Sequence, residues 1–291
     1  MNGVLILNKP AGMTSHDVVH RVRKILQQRA VGHLGTLDPM ATGVLPLVLG
    51  RMTRLAQFYT TSDKTYEGEI RFGFATDTYD ADGEPTGPQQ NVRVALDDVR
   101  RVAAKFVGII QQTPPPFSAK KIQGVPAYKL ARKKKDVELN PVQVQVRTLD
   151  ILSVMNDRAR FRTQVSSGTY IRSIAHEMGQ CLGIGAHLSA LTRTAVGEFC
   201  LDQCVTLEQI ATSPGEVAGK YCFHPRRLLP QFPSVTTTEE VAGMIRNGRA
   251  VNLPEMSQSK LVKVFRGQSD LIAIASRVAG TLFQPKVVLS D

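Results

Sequence analysis

No stretch of the 291-residue sequence stays apolar long enough to cross a membrane. The longest such run, Val44-Leu45-Pro46-Leu47-Val48-Leu49, carries a proline and falls far short of the ~20 residues a transmembrane helix needs. The first residues lack the apolar core and small-residue cleavage site of a secretory signal, so a cytoplasmic protein is expected. Cysteine is scarce. Cys181, Cys200, Cys204 and Cys222 contain no Cys-x-x-Cys pair, which suits a reducing compartment. Cys200 and Cys204 with Cys222 and His224 could supply zinc ligands, but cysteine often packs as a small buried hydrophobe, and no metal is expected. Nucleotide signatures are missing too. Gly215-Glu216-Val217-Ala218-Gly219-Lys220 has one residue too few between its glycines for a phosphate loop, and Tyr221 stands where Ser or Thr would hold magnesium. Gly183-Ile184-Gly185 lacks the third glycine of a dinucleotide fingerprint, and no Gly-x-Ser-x-Gly elbow occurs. Acid is in deficit: Asp and Glu number 25 against 36 Lys and Arg, a net charge of +11. That imbalance favours an acidic macromolecular partner, nucleic acid ahead of an anionic membrane. With 42% hydrophobic and 21% charged residues, the chain has the composition of a globular protein of one large domain or two smaller ones.

The patterning that is present reads as mixed α+β. Residues 3–8 form an apolar run closed by Lys9-Pro10-Ala11-Gly12, a strand ending in a tight turn. A helix follows, with Thr14 or Ser15 as cap, Asp17 in the first turn, and Val18, Val19, Val22, Ile25 and Leu26 at helical spacing. Its basic residues His20, Arg21, Arg23 and Lys24 read as a solvated face. Residues 66–74 alternate as a half-buried strand, and residues 94–110 read as one amphipathic helix. Alternation at 142–146 and 160–165 predicts antiparallel sheet, and residues 170–182 a further helix. Pro230 and Pro233 flank a linker-like stretch. Beyond it, runs at 261–265, 271–275 and 286–289 predict strands of a small second domain, with a helix end turning on Gly248.

Three segments carry chemistry. Residues 32–46, Gly-His-Leu-Gly-Thr-Leu-Asp-Pro-Met-Ala-Thr-Gly-Val-Leu-Pro, surround Asp38 with glycines and prolines, a loop constrained without bulk and suited to presenting a reactive group. Asp before proline is equally an ordinary turn former. At a strand-to-helix junction, Ser166-Ser167-Gly168-Thr169-Tyr170-Ile171-Arg172 offers a fixed cation that could keep such a carboxylate ionised and aimed. Residues 118–135 hold seven Lys or Arg and no acid, interleaved with Ile122, Tyr128 and Leu130, and suggest an ordered insertion that docks on phosphates. The acidic loop 76–83 is odd in so basic a chain and lacks the closing glutamate of an EF-hand.

Leu7-Asn8-Lys9-Pro10-Ala11-Gly12-Met13-Thr14-Ser15, then residues 32–50, Lys64-Thr65-Tyr66 and Ser167-Gly168-Thr169-Tyr170-Ile171-Arg172 resemble, in this order, the successive motifs of the TruB family, bacterial synthases of pseudouridine 55 in tRNA. The resemblance covers roughly residues 3–220, and the tail from about 225 is similar to a PUA RNA-binding domain. It implies a pseudouridine synthase core over residues 1–224, with a basic insertion at about 114–140, and a PUA-like unit over 225–291. The fold is then α+β, a largely antiparallel mixed sheet with flanking helices plus a small β-rich domain. Archaeal and eukaryotic relatives that act with guide RNA share the core; the short N-terminus and the insertion here point to the stand-alone enzyme. The implied reaction needs no cofactor: a uridine of the tRNA T arm is flipped out, its N-glycosidic bond is broken, and C5 is joined to C1′. The resemblance makes Asp38 the catalytic aspartate, whether it attacks C1′ or removes a proton from C2′. It makes Tyr66 the residue that packs on the base and moves a proton at C5, Arg172 the cation pairing with acids of the pocket, and Asp80 its second partner. His33, Lys64, Tyr170 and Leu191 complete the substrate pocket. The insertion, through Lys120, Lys121, Lys133, Lys134 and Lys135, closes on the T loop. A monomer with no obligatory protein partner is expected. Two other readings compete: a non-catalytic RNA chaperone or ribosome-assembly factor, and a metal-dependent hydrolase built on Asp77, Asp80, Asp82 and His33.

Overall fold

A computed structural model describes residues 1–118, 120–122, 125–127 and 139–289. Its strands are β1 (Gly3–Lys9), β2 (Val31–His33), β3 (Thr42–Leu49), β4 (Lys64–Phe72), β5 (Gly108–Gln112), β6 (Lys121–Ile122), β7 (Val125–Pro126), β8 (Val142–Met155), β9 (Arg158–Val165), β10 (Ala186–Val196) and β11 (Phe199–Cys200). They are followed by β12 (Ser234–Thr237), β13 (Val251–Asn252), β14 (Leu261–Arg266), β15 (Asp270–Ala279) and β16 (Leu282–Val288). Among the described residues, a nine-stranded sheet runs in the order β1-β3-β10-β4-β9-β8-β5, with β2 on β3 and β11 on β10. A five-stranded sheet runs β12-β14-β15-β16-β13. Pairing is antiparallel except β10 with β3 and β12 with β14. No helix among the described residues is long and apolar enough to cross a membrane.

The apolar runs of β1 and β3 are continuous because both faces of this part of the sheet are covered. Successive side chains alternate sides: Leu5, Leu7, Leu45, Leu47 and Leu49 enter one core, Val4, Ile6, Val44 and Val48 another. Among the helices that supply the first core are α1 (Ser15–Ile25), α2 (Leu96–Ala103) and α3 (Ile171–Leu182), through Val18, Val19 and Val22, Val99 and Val102, and Ile174 and Met178. The second core is shared with Phe265, Leu271, Ile274 and Val287 of the small sheet, so that sheet is packed against the large one. Segment 204–223 covers the outer edge of β1, with Val205 and Phe223 donating to the Ile6 and Val4 carbonyls at 2.9 and 2.7 Å.

Three readings need correction. Residues 94–110 are not one helix: α2 gives way to a 3-10 turn over Ala104–Phe106, and at Gly108 (φ +112°) the chain turns into β5. The loop around Asp38 is shorter than the glycine and proline spacing suggested, since β2 and β3 reach into both ends of it. The last strand lies at Leu282–Val288, four residues ahead of the expected start. Gly43, where β3 leaves the loop, has φ +100°, and a Cβ there would lie 2.2 Å from the Arg193 carbonyl oxygen. Gly43→Ala is therefore expected to cost more than about 2 kcal/mol, combining left-handed strain with a backbone clash. Urea unfolding at constant m-value measures it.

Candidate active site

Asp38 is carried by the loop 34–41, and neighbouring segments hold this loop through its backbone. On one side the N-terminus of α1 meets it: Leu37 N–H donates to Ser15 Oγ at 2.8 Å, and Gly12 N–H to the Pro39 carbonyl at 2.9 Å. Thr14 caps α1, and Asp17 returns the bond to the Thr14 amide, fixing that end of the helix. Lys9 is fully buried at the end of β1, its ammonium donating to the carbonyls of Pro10, Met13 and Pro39 at 2.8, 2.6 and 3.1 Å. Three donors meet three acceptors, so the buried cation is satisfied, although burial brings its pKa down to about 8. On the other side Arg193 of β10, 0% exposed, donates to the carbonyls of Val44, Thr36 and Gly35 at 2.8, 3.1 and 3.1 Å.

Arg172 lies in the first turn of α3, whose N-cap, Tyr170, has no side-chain cap of its own. Gln112 at the end of β5 substitutes for one: its amide accepts from Tyr170 N–H at 2.8 Å and donates to the Tyr170 carbonyl at 3.0 Å. Arg172 thereby points at Asp38, with Nε 2.9 Å from Oδ2 and Nη2 donating to Oδ1 at 3.0 Å. The same guanidinium reaches Asp80 Oδ2 at 3.4 Å and donates to the Thr78 and Phe117 carbonyls, each at 3.0 Å. Side-chain exposure separates the two acids: Asp80 and Arg172 are 5% and 6% exposed, Asp38 34%. Asp38 is thus the member of the triad open to a ligand. Burial raises the Asp80 carboxyl, against the opposing pull of the Thr78 hydroxyl and then Arg172.

The cleft beyond Asp38 has a volume of about 410 Å³. His33, Lys64, Tyr66, Tyr170, Arg172 and Leu191 all line it, so three strands, a loop and a helix terminus bring together most of the residues singled out from the sequence. Asp80 does not line it and meets Arg172 from behind. Tyr66 is almost wholly buried, which raises its phenol. Burial and then Arg193 lower the imidazole of His33, and burial brings the Lys64 ammonium down to about 8. Lys120 lies at the base of the insertion, donating to the Asn140 carbonyl at 3.2 Å. Lys121 belongs to β6, and Lys133, Lys134 and Lys135 lie outside the described residues. Among the described residues no group of three or more His, Cys, Asp or Glu is placed to hold a metal ion. Lys9, Gln112 and Arg193 were not anticipated as site residues, although Lys9 stands within a motif already singled out and Arg193 lies two residues after Leu191.

Solved structures with this fold include the archaeal box H/ACA sRNP Nop10-Cbf5 complex, with TM-score 0.71 and 25% identity over 99% of this chain and 86% of the other. A second is an H/ACA RNP bound to a substrate RNA containing 2'-deoxyuridine, with TM-score 0.72 and 24% identity over 99% and 85%. The sequence model described as TruB family pseudouridylate synthase, N-terminal domain, matches residues 23–171. That of the tRNA pseudouridylate synthase B C-terminal domain matches residues 172–217. The chain is 49% identical to the tRNA pseudouridine synthase B of Solibacter usitatus, over 99% of this chain and all of that one. It is 40% identical to the protein of the same name from Aquifex aeolicus over the same shares. The fold and the matching family model together place the chain in the class of pseudouridylate synthases. Within that class the chain belongs to the TruB family.

Proposed function

We propose that the chain isomerises a uridine of tRNA to pseudouridine, at position 55 of the T arm, with Asp38 as its catalytic residue. The observation that carries this reading is a partly exposed carboxylate lining the cleft, bonded at Oδ1 by a buried guanidinium whose Nε lies 2.9 Å from Oδ2. Arg172 holds Asp38 aimed into the cleft, as either attack on C1′ or removal of the C2′ proton requires. In the first route the N1–C1′ bond breaks as the Asp38 ester forms; in the second it breaks as the C2′ proton passes to Asp38. The uracil turns and C5 bonds to C1′, displacing the Asp38 carboxylate in the first route and taking the proton back from Asp38 at C2′ in the second; the C5 proton then leaves and N1 is protonated, with Tyr66 of the cleft lining assigned to that transfer. Such a site cannot reach a stacked base, so the target nucleotide is flipped into the cleft. His33 and Lys64 face the entering RNA, while Tyr170 and Leu191 bound the ring pocket.

The unit over 1–224 carries the reaction, and that over 225–291, PUA-like and net basic, adds RNA contacts. The chain works in the cytoplasm as a monomer without an obligatory protein partner. The test is to incubate the full chain with a T-arm transcript, with no cofactor and with EDTA, and to map pseudouridine. One modified uridine, unaffected by chelation, is expected. No conversion overturns the reading in favour of a non-catalytic RNA chaperone, and conversion abolished by EDTA argues for metal chemistry.

The basic insertion is assigned to phosphate binding on charge alone. Changing Lys133, Lys134 and Lys135 together to alanine should weaken tRNA binding and flatten the plot of log K against log salt by roughly one unit for each phosphate no longer neutralised. Turnover at saturating RNA should change little. An unchanged salt slope would make the run a solvated surface.

A further inference from the structure

Arg193 is a fully buried guanidinium that, among the described residues, makes no ion pair and bonds only neutral carbonyls. Its Nε and one hydrogen on each terminal nitrogen go to the Val44, Thr36 and Gly35 carbonyls, leaving two of the five N–H groups of an arginine. Burying such a charge among neutral acceptors is expensive, and burial lowers its pKa. Backbone bracing alone would not demand a cation. Across the sheet, Arg193 of β10 stands directly opposite Tyr66 of β4, so guanidinium and phenol are cross-strand neighbours on one face. An arginine only donates, so a bond from one of its two remaining N–H groups to the phenol oxygen would leave the phenol proton free to point into the cleft.

We propose that Arg193 is a positioning residue of the reaction, which fixes the Asp38 loop by its backbone and orients the Tyr66 phenol for proton transfer. This rests on the isomerase reading above and adds to it a residue acting through both groups that face the substrate. The charged neighbourhood is consistent. Asp38 faces both Tyr66 and Arg193; Lys9, Lys64 and His33 lie in the field of Arg193, as does the Cys204 thiol. Asp38 favours the neutral phenol and Arg193 the phenolate, so the guanidinium offsets part of the effect of burial. Tyr59 shows the alternative. It is equally buried, but its hydroxyl donates to Glu198 at 2.6 Å and faces no guanidinium, so burial and the carboxylate both hold its proton on.

The test places a fluorinated tyrosine, more acidic than the natural residue, at position 66 or at position 59 of the full chain. Its fluorine resonance is followed with pH. The label at 66 should ionise at least one pH unit before the label at 59, about tenfold in proton affinity. In Arg193→Lys, which keeps the charge but loses the planar fork, the label at 66 should move upward and the label at 59 should stay. In unlabelled Arg193→Lys the single-turnover rate should fall about tenfold or more near neutral pH, with tRNA affinity retained, and recover as pH rises. Ionisation at 66 together with or after 59 overturns the proposal, and needs no Arg193 variant that folds. So does an unmoved midpoint in Arg193→Lys, or a rate lowered by one factor at every pH, which would mark Arg193 as a brace only. Failure of the unlabelled wild type to form pseudouridine would sink the isomerase reading instead, while leaving the phenol titration interpretable.

Discussion

Asp38→Asn is expected to reduce pseudouridine formation at least about 10²-fold, the scale of losing a positioned acid–base group, and more if the carboxylate is the nucleophile. The side chain keeps its shape and one acceptor for Arg172 but loses its charge, its second acceptor and its basicity. Folding should survive, because the loop is held by Ser15, Lys9 and Arg193 through backbone atoms and not through the carboxylate. Affinity for tRNA should stay level or rise slightly, since one negative charge leaves a cleft that receives phosphates. Single-turnover assays with saturating enzyme, beside a binding isotherm, separate these effects. Retention of more than a few per cent of wild-type turnover would remove Asp38 from the chemistry.

Asp38 and Arg172 were legible in the sequence because each sits where local geometry is unusual. One lies in a loop of glycines and prolines, the other at the first turn of a helix with a clear apolar period. The strands of the small sheet were legible for a similar reason, being punctuated by glycines at Gly248, Gly267 and Gly280 that take positive φ. What escaped notice depends on distant partners. Lys9 reads as the polar end of a strand before a turn, and only the carbonyls of Met13 and Pro39, brought to it by the loop, make its burial tolerable. Arg193 reads as one polar residue within β10, a strand whose shifts of register beside Leu188 and Arg193 blur the two-residue period. Gln112 is invisible as a helix cap because it lies 58 residues before the terminus it serves. Residues 94–110 misled because α2 and β5 both present apolar side chains to one core, and the change of period falls at a single glycine.

Arg172 should be nearly as sensitive as Asp38, and its two substitutions should fail in different ways. From a position 6% exposed, its guanidinium bonds Asp38 Oδ1 and two backbone carbonyls and lies in ionic contact with Asp38 Oδ2 and Asp80 Oδ2. Arg172→Lys keeps the charge but offers three donors from a point, so the planar group that meets Asp38, Asp80 and two carbonyls at once is lost; turnover should fall about 10²-fold or more with folding retained. Arg172→Met removes the charge and should cost about 3–5 kcal/mol, because Asp80 is left buried without its cation. That cost should depend on pH in a defined direction. Burial already holds the Asp80 carboxyl above its ordinary value, and removing Arg172 deletes one influence that lowers it. A folded-state pKa raised above the unfolded one favours folding in acid and loses that contribution as pH rises through the folded value. The deficit of Arg172→Met relative to wild type should therefore shrink as the solution is acidified toward the raised Asp80 value. Adding Asp80→Asn should abolish that dependence. Denaturant unfolding of the wild type, Arg172→Met, Asp80→Asn and the double variant at several pH values reads it directly, and a deficit independent of pH would mean that Asp80 is not held ionised by Arg172.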